Sequence, residues 1–468
     1  MMREERDSLG VRNVPAKAYY GIQTLRAVEN FPVSGRRERP ELIRSYAVIK
    51  KAAALANIDL GVLDPERGEA IVQAATEVAE GKFADQFPVD IYQAGAGTSF
   101  NMNVNEVIAN RALEILGKPR GAYDHLSPND HVNLSQSTND TFPTAAHLAI
   151  VTDACRLDSV LGDLALSLER KGIEFSSLPK TGRTHLMDAL PVTLGDEFSA
   201  YGSAIRRAAE RIRERQVGLL EVAIGGTATG TGANAPPEFR ETVIRNLCTL
   251  TGLDLIPARN SFEALQSRAQ LAAFSSSLRE LALDLIRIAN DLRLMSSGPA
   301  SGLDEIVLPP VQPGSSIMPG KVNPVMAECT DMIAFQIIGN DTTVTLAVQA
   351  GQFELNVMTP VIVHNILESI SLLTHYLPVF TIHCIDGIEA NEDRLLAYIG
   401  TNPILATFLT PKIGYLRAAE IAHEAMVKRK TIREIALEKK IITPAEADTM
   451  FDIRTIARNQ IKGPDEAP

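Results

Sequence analysis

The sequence predicts a mainly α-helical fold, and three observations carry that prediction. Long stretches keep the 3.6-residue hydrophobic period with few glycines or prolines inside them. Aromatic residues make up only 5% of the chain and tryptophan is absent, so burial falls to Ala, Leu, Ile and Val, a composition suited to helices. Phe198, Tyr201, Ile205, Ala208, Ile212 and Leu219 form a heptad seam, with Arg and Glu on the opposite face. Helices this long, in a chain too large for a simple bundle, are expected to pack against copies of themselves, which predicts a homo-oligomer with a shared helical core.

In chain order, residues 1 to about 40 read as irregular structure with short extended pieces. Helices are expected over Leu42–Leu60 and Glu66–Ala79. DQFPVDIYQAGAG, from Asp85 to Gly97, breaks the pattern, and a helix over Asn101–Leu116 follows with Met102, Val107, Ala109 and Leu113 among its apolar positions. LSPNDHVNLSQSTND is a loop, with Asn139 or Asp140 as the cap of the next helix. Further helical stretches are Leu157–Phe175, the seam itself, Ser261–Ser296, Pro324–Gln349 and Glu354–Phe380. Between them, IGGTATGTGANAPP (Ile224–Pro237) has glycine spacing that mimics a nucleotide fingerprint. It follows no convincing strand and has no acidic ribose partner, so it reads as backbone passing close to something, such as another subunit. From about Asn391 the elements shorten. Thr443, Pro444 and Glu446 make a capping box with proline at the first helical position. The tail KGPDEAP, Lys462–Pro468, is expected to be disordered.

At 468 residues two or three domains are expected. A net charge of −11 argues against a nucleic-acid surface, while a small anionic ligand needs only a locally positive pocket. Cys155, Cys248, Cys329 and Cys384 are far apart and lack metal-ligand spacing, so reduced thiols in a cytoplasmic protein are expected. The start, MMREERDSLG, has no apolar signal region, and no apolar run is long enough to span a membrane.

Four loops are rich in small hydroxyl and amide side chains. GAGTS supplies Thr98 and Ser99; SQSTND supplies Ser137, Thr138 and Asn139; GRTHLMDA supplies Thr184 and His185; GSSIMPGKVN supplies Ser315, Ser316, Lys321 and Asn323. Each alone is ordinary turn chemistry. Together they read as a cradle for a dicarboxylate: several neutral donors, one lysine and one histidine, with no metal or cofactor required. The last loop is set apart by LPPVQP before it, which suits neither helix nor strand, and by Pro324 after it, which opens a helix whose N-terminus favours an anion.

These loops resemble the signature segments of the fumarase/aspartase superfamily, lyases that eliminate a group from the carbon next to a carboxylate and leave fumarate. The resemblance runs from ERDSLG to about Phe451. It implies a three-domain fold: a mixed, mostly helical domain over 1–138, a long-helix bundle over 139–393 carrying the loop 314–323, and a small helical domain over 394–468. It also implies a homotetramer whose active sites are shared between subunits. Within the superfamily, Ala96, Ser127 and the Ser137–Thr138 pair look like the aspartase branch, where fumarases usually carry Ser, His and Ser–Ser. YYGIQTLRAVENF and GNDTTVT also look like aspartase, whereas NMNVNEVIANRA and TFPTA are equally fumarase-like. Met187 and Ala300 depart from both branches, which usually carry Gln and Arg there.

The activity implied is removal of ammonia from L-aspartate, with class II fumarate hydration, or a lyase for a modified aspartate, as alternatives. A structural scaffold, the reading from another class, has no use for Ser315, Lys321, Asn323, Thr98 and His185 together. By resemblance Ser315 is the base. Thr98, Ser137, Thr138 and Ser316 stabilise the aci-carboxylate that forms when the Cβ proton leaves. Lys321 and Asn323 hold the α-carboxylate, and Asn139, Thr184 and His185 sit by the amino group. In fumarase-like enzymes the matching histidine pairs with a glutamate that matches Glu328. The loop's glycines suggest that it closes over substrate.

Overall fold

The computed structural model describes residues 1–452, so the expectation for the Lys462–Pro468 tail lies outside the described residues. The fold is mainly helical, as expected, with four two-stranded sheets among the described residues. The elements run β1 (Met2–Asp7), β2 (Gly10–Pro15), α1 (Ile22–Asn30), α2 (Pro40–Asp59), α3 (Pro65–Ala79), α4 (Thr98–Ile115) and α5 (Thr138–Glu174). Next come β3 (Pro179–Thr184), β4 (Met187–Thr193), α6 (Leu194–Val217), β5 (Glu221–Val222), α7 (Phe239–Thr251), β6 (Ile256–Pro257), α8 (Ser261–Gln266) and α9 (Ala269–Met295). The chain continues through β7 (Ile306–Val307), α10 (Val325–Gln349), α11 (Thr359–Phe380), β8 (Glu389–Ala390), α12 (Glu392–Thr401), α13 (Thr410–Ile413), α14 (Tyr415–Lys428), α15 (Ile432–Glu438) and α16 (Pro444–Met450).

The chain divides into two compact units. One comprises Met1–Ser159, Ala208–Ala282 and Ile333–Thr374; the other comprises Val160–Arg207, Leu283–Met332 and the chain from His375 on. In the first, the antiparallel β1–β2 hairpin leads into α1, a helix the sequence reading missed. No side chain of its own N-cap closes α1. Glu106 of α4 does so from 85 residues away, accepting the N–H groups of Gly21 at 2.8 Å, Gln23 at 2.8 Å and Thr24 at 3.1 Å, and the Thr24 hydroxyl at 2.6 Å. Tyr46 of α2, Phe100 of α4, Phe142 of α5 and Phe87 between α3 and α4 form a cluster whose rings meet mostly edge to face.

Four helix boundaries differ from expectation, the first being α4, which starts at Thr98, three residues before Asn101. The helix capped near residue 139 and the stretch Leu157–Phe175 are one continuous helix, α5, with Pro143 inside it. The stretch Ser261–Ser296 breaks at Ser267, whose backbone is extended (φ −89°, ψ 143°). There the buried Arg268 guanidinium donates to the Ala264 and Ser267 carbonyls, at 2.7 and 2.8 Å. Helix α11 starts at Thr359, with Pro360 in its first turn, five residues later than the pattern suggested. The heptad seam is as read: Phe198, Tyr201, Ile205, Ala208, Ile212 and Leu219 are all buried.

In the second unit, the β3–β4 hairpin is antiparallel, and the C-terminal helices enclose a core of Leu405, Leu409, Ile421, Ile432 and Ile435. The Thr443–Glu446 capping box is present, as expected, and Thr431 with Glu434 forms a second one at α15. Among the described residues no helix is long and apolar enough to cross a membrane.

Candidate active site

In the first unit, α4 and α5 begin side by side and bring four of the expected residues together. Thr98 is the first residue of α4 and is exposed. Gly97 before it has φ 92°, and a Cβ there would lie 2.0 Å from the Phe142 ring, so only glycine allows the turn that starts the helix. In this state the Thr98 hydroxyl donates to Gly95 O at 2.7 Å, which leaves its oxygen as an acceptor.

The start of α5 is closed by Ser137 and Asp140, not by Asn139 or Asp140 alone as the sequence suggested. Ser137 Oγ accepts the Asn139 N–H at 3.2 Å, and Asp140 Oδ1 accepts the Ser137 N–H at 3.0 Å. This reciprocal arrangement resembles a capping box with aspartate in the glutamate position, with Ser137 Oγ taking the N–H two residues on instead of three. Thr138, buried, accepts Asn101 Nδ2 on its hydroxyl oxygen at 3.0 Å, and Asn139 Nδ2 donates to Ala228 O at 2.7 Å.

The glycine-rich segment after β5 therefore has an intrachain partner. It wraps the start of α5, where Asp140 Oδ2 accepts the N–H groups of Gly225 at 3.0 Å and Thr227 at 2.9 Å. Burial pushes the Asp140 carboxyl up to about 7, against these backbone N–H groups and the charge of Lys50. Two helix N-termini at one place give a positive end suited to a carboxylate. Ser99, next to Thr98, lines a cleft of about 530 Å³ with Arg6, Gln23, Arg26, Ser127 and Asn129. Ser127 itself is occupied as a cap, accepting the N–H groups of Asn129 and Asp130.

The second unit holds the other expected residues at two places. The signature loop is clasped at its base: Gly314 N donates to Lys321 O at 2.7 Å, and Asn323 Nδ2 donates to Gly314 O at 2.7 Å. A Cβ on Gly314 would lie 2.6 Å from Lys321 O, so glycine is required where the two limbs meet. Inside the clasp, Ser315 Oγ accepts two backbone N–H groups, from Ile317 at 3.2 Å and Met318 at 2.9 Å. Lys321 Nζ donates to Asn323 Oδ1 at 2.6 Å. Ser316 is exposed, as are Ile317 and Met318 at the tip.

Thr184 and His185 lie at the exposed tip of the β3–β4 hairpin, a tight turn that the sequence showed only as a loop. His185 (φ 56°) and Leu186 (φ 61°) both occupy the left-handed region, where side chains other than Gly, Asn and Asp are strained. The hairpin's base is fixed by charge. Glu305, fully buried, lies 3.0 Å from Lys180 and 2.8 Å from Arg183, and Lys180 also pairs with Glu197 at 2.8 Å. The contacts to Glu305 fall short of aligned hydrogen bonds, so they act as close charge pairs. Among the described residues no hydrogen bond joins the hairpin tip to the signature loop or His185 to Glu328, and no group of three or more His, Cys, Asp or Glu is placed to hold a metal.

The sequence reading missed Asp140 as the clasp for the glycine-rich loop, and Lys50, Asn101 and Asn133 beneath Thr138. A signal for the first was present, since Ser137-x-x-Asp140 has capping-box spacing. Lys50 also had one: it falls on the same helical face as Tyr46, Ala47 and Ala53, where a lysine is out of place.

A family model described as Lyase matches residues 10–339, and one described as Fumarase C C-terminus matches residues 405–458. The chain is 49% identical over 461 residues to the aspartate ammonia-lyase of Bacillus subtilis (strain 168), covering 98% of this chain and 97% of that protein. It is 48% identical over 447 residues to the class II fumarate hydratase of Thermosynechococcus vestitus, covering 95% and 96%. A solved structure of fumarate lyase:delta crystallin from Brucella melitensis bound to cobalt superposes with a TM-score of 0.95 at 48% identity, covering 98% of this chain and all of that one.

Proposed function

The chain belongs to the fumarase/aspartase superfamily of lyases, and on that premise we propose that it removes ammonia from L-aspartate to give fumarate. The observation that carries the elimination chemistry is the environment of Ser315. A serine hydroxyl is a poor base, because its alkoxide is costly at neutral pH. Two backbone N–H groups aimed at Ser315 Oγ lower that cost, and Lys321 places a positive charge in the same loop.

In the proposed reaction Ser315, as the alkoxide that its two N–H contacts favour, takes the Cβ proton on Oγ and becomes the neutral hydroxyl. The electron pair left behind spreads into the β-carboxylate as an aci-carboxylate, which Thr98, Ser137, Thr138 and Ser316 stabilise. The pair then returns to form the double bond as the Cα–N bond breaks; the substrate amine, bound as its ammonium form, takes the bonding pair and departs as neutral ammonia, so no separate acid is needed. Lys321 and Asn323 hold the α-carboxylate. Asn139, Thr184 and His185 face the amino group, so His185 serves binding first and proton transfer second. Because these residues lie on separate compact units, the proposal includes a cytoplasmic homotetramer in which different subunits complete one site. The Thr98 hydroxyl, now donating to Gly95 O, turns toward substrate on binding.

Hydration of fumarate is the second reading, favoured by the 48% identity to a class II fumarate hydratase. The aspartase reading rests on Ala96, Ser127 and Ser137–Thr138. The purified protein, supplied separately with L-aspartate and L-malate and followed by fumarate absorbance, decides between them. Fumarate from aspartate alone supports the proposal; fumarate from malate alone replaces it with the hydratase.

A further inference from the structure

Beneath the start of α5 lies a buried cation that the proposed reaction does not use. Lys50, on α2, is fully buried, and its Nζ donates to Asn133 Oδ1 and Gln136 Oε1, both at 3.0 Å. Both acceptors are neutral amide oxygens, and none of the ion pairs recorded among the described residues involves Lys50.

Burial lowers the Lys50 amine to about 7, against the charge of Asp140, and in its ammonium form it allows the Asn133 amide one orientation, oxygen toward the lysine, while Asn133 Nδ2 donates to Gln136 O at 3.1 Å on the other side. That fixed oxygen also accepts Asn105 Nδ2 at 3.0 Å and Asn101 Nδ2 at 3.2 Å. Rotating the Asn101 amide by a half turn would set its oxygen against Asn133 Oδ1, so Asn101 too has one orientation. Its second N–H enters Thr138 Oγ1 at 3.0 Å. A hydroxyl oxygen that receives an N–H on its inner side has its own hydrogen left to point elsewhere, and among the described residues no recorded acceptor takes it.

We propose that Lys50, Asn133 and Asn101 are positioning residues that set the Thr138 O–H as a donor aimed at the substrate carboxylate. The inference rests on Thr138 being part of the carboxylate cradle. A hydroxyl turned before the reaction needs no reorientation as charge builds on the carboxylate, and that preorganisation is where such donors act.

The test is a double-mutant cycle. Asn101→Asp keeps the side chain's shape but offers an acceptor in place of the donor, so Thr138 turns its hydrogen inward. The expected loss in kcat is about 10²-fold, the scale for losing one such donor. Thr138→Val should lose a similar amount. The two together should fall no further than Thr138→Val alone, to within about twofold, the usual error of additivity. Lys50→Met, which removes the ammonium and keeps the stem, enters the cycle from the other end of the network: it should lower kcat about tenfold when Thr138 is present and not at all in Thr138→Val. A network that serves only the fold would lower kcat by the same factor in both backgrounds, and that result overturns the relay. So does a folded Asn101→Asp with undiminished kcat. The cycle is run on whichever of aspartate or malate the unaltered protein converts, with succinate affinity by calorimetry as a readout free of turnover. A protein that converts neither substrate and binds no succinate removes the functional reading itself; multiplying effects in an active protein remove only the relay.

Discussion

Asp140→Asn separates the two ends of a clasp on which half of the candidate site depends. The carboxylate accepts three backbone N–H groups, from Ser137 on one oxygen and from Gly225 and Thr227 on the other. An asparagine offers one acceptor oxygen and turns an NH₂ toward the remaining donors, so it loses at least one of the three bonds and as many as two. Each N–H left buried without a partner costs about 1–3 kcal/mol, so the expected loss is ~2–4 kcal/mol. Measurement at pH 8 is appropriate, because burial pushes the carboxyl up to about 7 and it must be ionised to act in full. Hydrogen exchange read by NMR or mass spectrometry is a better assay than global denaturation for a chain of two compact units, where a single unfolding free energy is poorly defined. Exchange at Gly225 and Thr227 should speed up by about thirtyfold to several hundredfold, each tenfold being about 1.4 kcal/mol. Protection at α2 and α3 should hold. Unchanged protection at Gly225 and Thr227 in the variant would refute the clasp.

Three further outcomes follow from buried charge and backbone strain. Glu38 is buried against Gln93, with Asp90 nearby, and burial raises its carboxyl to about 8. A group whose folded value is raised favours the fold fully below its unfolded value near 4.5 and loses that contribution as pH rises through 8. Glu38→Gln should therefore gain stability relative to the parent between pH 5 and pH 9, by up to about 4 kcal/mol at the tenfold scale of 1.4 kcal/mol; parallel melting temperatures across that range would contradict it. Leu186→Gly relieves the left-handed strain at the hairpin tip and should raise stability by roughly 1 kcal/mol at most, whereas a drop in melting temperature would show that Leu186 makes contacts outweighing its strain. Glu305→Leu leaves Lys180 and Arg183 without their shared carboxylate and should cost about 3–5 kcal/mol, read as a lower denaturant midpoint; a change below about 1 kcal/mol would mean that Glu197 alone balances both cations.

Several elements were legible because their cause was local, although α7, closed by the left-handed Gly252, was missed. The seam from Phe198 to Leu219 and the Thr443–Glu446 box are written in adjacent residues, and both are present. Helix α1 escaped because its N-terminus is closed by Glu106, a residue remote in the chain. The His185–Leu186 turn escaped because tight hairpin turns usually announce themselves with Asn or Gly, and neither residue is of that kind. The site residues were legible as types in loops. What the sequence withheld was direction. Thr98 donates to a carbonyl, Thr138 accepts from an amide and Ser315 accepts from two backbone groups, and each of these follows from partners that only the fold assembles.

The role of Ser315 is most directly tested by turnover and binding in Ser315→Ala. If this hydroxyl takes the Cβ proton, the variant forms no measurable fumarate from aspartate while binding succinate within a few-fold of the parent, because the carboxylate cradle stays whole. Ordinary turnover in Ser315→Ala would assign the proton to another group and leave the two N–H contacts to Ser315 Oγ as loop structure alone.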